Sequence, residues 1–130
     1  MSLSAHGYRK HFQDISGELV VAAATGDTTL VTARNANSKI YIQRLIVYVT
    51  TDAAQSAAFE DTATPAYKIA EVTTSPGDET RWDFDYGDEG LPLTEGKDFV
   101  MNVSSAGLAG TVKWYGYTRL SSAVAAGSTN

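Results

Sequence analysis

The chain has 130 residues, near the commonest domain size, with 43% hydrophobic and 19% charged residues, so one folded domain is expected and disorder is not. A formal net charge of -5 argues against a surface that neutralises phosphates, which sets nucleic acid aside as a partner. The absence of cysteine excludes disulfides, thiolate catalysis and Cys-based zinc sites, and no apolar run approaches the ~20 residues of a membrane helix.

The first sixteen residues, Met1 to Ser16, are polar and have no apolar core resembling a signal peptide. They hold the one tight basic cluster, Arg9 and Lys10 with His6 and His11, and they read as an N-terminal arm. Short strands are predicted at Glu18 to Ala24 and Thr28 to Ala33, separated by the turn signal Thr25-Gly26-Asp27. Lys39 to Thr51 is dense in β-branched and aromatic residues, and is longer than a typical strand of ~5–6 residues. Its apolar parity changes near Gln43 and Arg44: Ile40 and Ile42 share one face, and Leu45, Val47 and Val49 share the other. That change predicts a bulge or bend, of the kind that carries a strand from one sheet toward another.

The Ala-rich stretch Asp52 to Ala58 is the best helical candidate, and it is brief. Strands follow at Ser56 to Glu60 and Ala66 to Val72, and then the turn Ser75-Pro76-Gly77-Asp78. From Glu79 to Tyr86, Thr80, Trp82, Phe84 and Tyr86 alternate with Glu79, Arg81, Asp83 and Asp85. Side chains of a strand point alternately to its two faces, so this segment is predicted to bury an aromatic ladder and to expose a charged one. Asp98 to Ser104 places Phe99, Met101 and Val103 on one face. Gly107-Leu108-Ala109-Gly110 then reads as a hairpin turn. In the last strand, Gly110 to Leu120, Val112, Trp114, Gly116, Thr118 and Leu120 alternate with Thr111, Lys113, Tyr115, Tyr117 and Arg119. Large groups on both faces suggest that something covers the outer one, either the arm or a neighbouring subunit. Ser121 to Asn130 reads as a tail.

About eight strands punctuated by Gly, Pro, Asn and Asp define an all-β domain over residues 17–120, between the arm (1–16) and the tail (121–130). An antiparallel β-sandwich of jelly-roll type fits better than an immunoglobulin-type one, whose Cys-Trp-Cys signature is absent.

Catalytic chemistry has little to stand on. The two histidines lie in the arm, which seldom holds an imidazole as rigidly as a serine-histidine-acid site requires. The acidic run Asp78, Glu79, Asp83, Asp85, Asp88 and Glu89 reads as a soluble face with its turns; it lacks the calcium-loop spacing, and a metal would fall on Asp83, Asp85 and Asp88. No enzyme activity, cofactor or resident metal is expected. Trp82 and Trp114 fall on inward parities and read as core, not as a sugar-stacking platform.

The run from Gly87 to Ser105, with its Gly90-Leu91-Pro92-Leu93-Thr94-Glu95-Gly96 turn leading into a strand that ends Asn102-Val103-Ser104, is followed by the aromatic Gly110 to Tyr117. Together these resemble the last strands of small virion proteins of tailed bacteriophages, and Lys39 to Val49 with Phe59-Glu60-Asp61 fits the same outline. The family includes head decoration, or cement, proteins. The resemblance implies a jelly-roll-like homotrimer on the outer capsid surface of a virion, made in the host cytoplasm and partnered by the major capsid protein. Enrichment of aromatics and Arg at interfaces points to Tyr8, Arg9, Lys10, His11 and Phe12 of the arm, with Tyr115 and Tyr117, as contact residues. The competing reading is a carbohydrate- or receptor-binding module of a phage tail or fibre, which would use exposed coplanar aromatics such as Tyr41, Tyr115 and Tyr117.

Overall fold

A computed structural model describes residues 12–22, 26–50, 56–74, 80–104 and 109–120. The described residues form nine strands: β1 (Phe12–Ala22), β2 (Gly26–Val31), β3 (Ser38–Val49), β4 (Ser56–Asp61), β5 (Lys68–Thr73), β6 (Thr80–Asp85), β7 (Leu91–Pro92), β8 (Phe99–Val103) and β9 (Ala109–Leu120). They build two antiparallel sheets, one in the order β1-β9-β3-β6 with β7 beside β3, the other in the order β2-β8-β4-β5. Apart from the two-residue β7, the pairs β1–β9, β2–β8, β3–β6 and β4–β5 are the rungs of one long hairpin folded over on itself. Pairs β3–β9 and β4–β8 close the roll, and the result is a jelly roll.

The alternation read in the sequence sets the core. Ile40, Ile42, Leu45, Val47, Val49, Val112 and Trp114 of the larger sheet face Ala57, Phe59, Ala70, Val72, Phe99, Met101 and Val103 of the smaller one. Trp82, Phe84 and Tyr86 are half-buried against this cluster, as their parity requires. Each fully buried large side chain contributes about 1.5–3 kcal/mol, so the interlayer dominates the stabilising side of folding. Tyr86 adds a tie between the sheets: its hydroxyl donates to the Ile69 carbonyl at 2.9 Å.

The parity change in β3 is a bulge, with Ile42 opposite Gly116 and Arg44 opposite Tyr115, so that Gln43 is the extra residue. The strand does not cross to the other sheet, however. What changes at the bulge is its neighbour, from β7 at Tyr41 and Ile42 to β6 from Arg44 onward.

Other boundaries move as well. The strand expected from Glu18 begins at Phe12, so residues 12–16 of the expected arm pair with β9. The inward position at the middle of β1 is Gly17, where a Cβ would lie 2.3 Å from the Trp114 ring. The missing side chain makes room for the indole, and it also erases the alternation that would have marked the strand. The helical candidate Asp52 to Ala58 is strand in its described part, Ser56 to Ala58. The Gly107 to Gly110 segment does not close a hairpin, because β8 and β9 lie in different sheets.

Candidate interaction surface

The outer face of the larger sheet gathers Phe12, Tyr41, Tyr48, Tyr115 and Tyr117, aromatic residues outside the core. The register sets them in rows across β1, β9 and β3. Phe12 lies beside Arg119, and Asp14 beside Tyr117 and Tyr41; Ser16 lies beside Tyr115, Glu18 beside Lys113 and Ile46, and Val20 beside Thr111 and Tyr48.

One end of this face is closed. The Arg119 guanidinium sits 5.4 Å from the centre of the Phe12 ring, which is tilted at 5.7 Å from Tyr117. Tyr117 stacks on Tyr41 at 4.7 Å with the planes 7° apart. The Tyr117 hydroxyl donates to the Glu89 carbonyl at 2.6 Å, and the Gln43 amide donates to the Asp88 carbonyl at 2.6 Å, so both residues hold the 87–90 turn against the sheet. Such a stack fixes its members, because each ring and the cation above it restrict one another.

The other end is open. Val20 is 74% exposed, Tyr115 42% and Tyr48 40%; the two tyrosines line a shallow depression of about 390 Å³ with Glu18, Ile46, Arg81, Thr111 and Lys113. Charges of both signs rim it. Lys113 lies 4.0 Å from Glu18, and Arg44 grips Asp83 through Nε at 2.9 Å and Nη2 at 2.5 Å. Hydrogen bonding from Arg44 holds the Asp83 carboxyl below the usual carboxylate range. Asp85 accepts from the Gly87 amide at 2.9 Å. Two of the carboxylates considered for a metal are thus engaged in an ion pair and a turn.

Of the expected contact residues, Tyr8, Arg9, Lys10 and His11 lie outside the described residues. Phe12 and Tyr117 meet in the closed stack, and Tyr115 stands at the open end. Tyr41 and Tyr117 turn their ring faces to each other, which removes them from a flat sugar-binding platform. The exposed Val20 and Tyr48 were not singled out in the sequence. That Tyr48 and Tyr115 line one depression depends on the pairing of β9 with β3, which no local pattern encodes.

A buried carboxylate also escaped sequence reasoning. Asp61, 1% exposed at the end of β4, accepts backbone N–H bonds from Ala63 at 3.0 Å, Tyr67 at 2.9 Å and Thr94 at 2.9 Å. Burial pushes its pKa up, but these bonds and the Thr94 side chain outweigh burial and hold the group below its ordinary value. Its place is structural: it ties the 61–67 turn to the segment after β7.

No family model matches the chain, and no curated protein does. Solved structures similar to it include the virus-like particle of the giant freshwater prawn Macrobrachium rosenbergii extra small virus, at 10% identity and a TM-score of 0.45 over 82% of this chain and 79% of that one. A Drosophila NLP-core, described for its pentamer formation and histone binding, is similar at 14% identity and a TM-score of 0.46 over 82% and 97%. The Tobacco streak virus coat protein dimer is similar at 13% identity and a TM-score of 0.39 over 85% and 88%. At these identities and scores, none of the likenesses assigns a function to this chain.

Proposed function

We propose that this chain is a structural virion protein: a capsid decoration protein that forms a homotrimer, binds the outer capsid surface and clamps neighbouring major capsid subunits. The observation that carries the reading is the outer face of the larger sheet, where Val20, Tyr48 and Tyr115 are exposed together beside a rigid aromatic stack. Exposed apolar and aromatic groups that cluster, with a mixed-charge rim, are the composition of a protein-binding patch. The resemblance of residues 87–105 and 110–117 to phage virion proteins supports the same reading. Phe12 stands at the edge of this face, and the arm residues Tyr8 to His11 that precede it in the sequence are part of the proposed contact. The net charge of -5 directs the surface toward protein and away from nucleic acid.

Co-sedimentation of the full chain with undecorated phage capsids tests the reading. The chain is expected to pellet with capsids, and a Tyr48→Ser/Tyr115→Ser variant with an unchanged melting temperature is expected to bind at least tenfold more weakly, as loss of two interface aromatics implies. Failure of the wild-type chain to bind, combined with specific capture on a glycan array, would replace this reading by a carbohydrate-binding one.

A further inference from the structure

The four sheet edges are not alike. The edge strands β2 and β5 are six residues long, and each carries a bulge, at Leu30 and Ile69. Edge strand β6 is also six residues long and exposes Arg81, Asp83 and Asp85. Shortness, bulges and charges are the devices that stop an edge from recruiting another strand. Edge strand β1 differs: it runs eleven residues, pairs with β9 without a register shift, and contains no Pro, Lys or Arg, its charges being Asp14 and Glu18. Among the described residues no strand lies on its outer side, where about half of its N–H and C=O groups point.

We infer that this edge pairs antiparallel with β1 of a second copy, with Gly17 facing Gly17 on a two-fold axis, so that the larger sheets of both copies become continuous. In that register residues 13 to 21 pair. On the inner face, Ile15 meets Leu19 of the second copy, extending the apolar side of the sheet. On the outer face, Asp14 meets Val20 and Ser16 meets Glu18 of the second copy, so no acid opposes an acid. Antiparallel partners share a face, so the register can shift only in two-residue steps. One step in either direction sets Glu18 against Glu18 or Asp14 against Glu18, and like charges directly opposite are destabilising. The acids of β1 therefore exclude the two neighbouring registers, and larger shifts leave seven residues or fewer paired. The pairing is independent of capsid binding; it doubles whatever unit the chain otherwise forms, and on a capsid it joins trimers to one another.

Sedimentation velocity of the full chain over a concentration series tests this, with Ser16→Glu and Ser16→Lys as variants. Residue 16 is exposed, and both variants are expected to melt with the wild-type chain. Wild type is expected to double in mass with rising concentration. Ser16→Glu, which sets one acid against Glu18 on each side of the axis, is expected to weaken the doubling by about tenfold, whereas Ser16→Lys strengthens it. Absence of doubling in the wild-type chain, or the same effect from both charges, would overturn the inference. Capsid binding measured in parallel separates its failure from failure of the decoration reading.

Discussion

Asp61 is the side chain on which the loops depend most. Its two oxygens satisfy three backbone donors in a place that water does not reach, and a buried donor left unpaired costs about 1–3 kcal/mol. Asp61→Ala is expected to lower stability at pH 7 by about 3 kcal/mol, measured by urea unfolding. The sign of the pH dependence follows from a folded-state pKa below the unfolded value. Stability from the ionised form is fully present above the unfolded pKa and is lost as pH falls through the folded one. The gap between wild type and Asp61→Asn is therefore expected to narrow below about pH 4. A gap constant from pH 7 to pH 3 would show that the ionised form contributes nothing. Nothing in the sequence marks this residue, since an aspartate just after a strand ordinarily faces water.

At the scale of elements, the sequence was informative where both faces of a strand carry distinct residues. The aromatic and charged alternation of β6, the parity change in β3 and the two faces of β9 each correspond to a strand with that orientation. Strand β1 was half hidden, because its central inward residue is the glycine that accommodates Trp114. Parity placed Tyr115 and Tyr117 outward but could not separate them: one is open and the other is stacked on Tyr41, a partner from another strand. The bulge in β3 depends on a second glycine. Gly116 is buried opposite Ile42, and a Cβ there would lie 2.0 Å from the Tyr41 carbonyl oxygen. Gly116→Ala is expected to push β9 from β3 and to cost about 2 kcal/mol or more in urea unfolding. A wild-type midpoint would show that the strands can part there without penalty.

For the whole molecule, the jelly roll explains how a chain of this size can leave one end of a sheet face exposed. The core lies between the sheets, with Phe59, Phe99, Ile40, Ile42 and Leu45 fully buried, and the aromatics of the outer face are not part of it. The order of strands was not legible, because it rests on pairs such as β1 with β9, far apart in the chain and joined by no local signal. Static light scattering on the full chain in solution tests the assembly reading most directly. The reading requires the mass of three copies, or of six where trimers pair through β1; the mass of one copy at every concentration would contradict it.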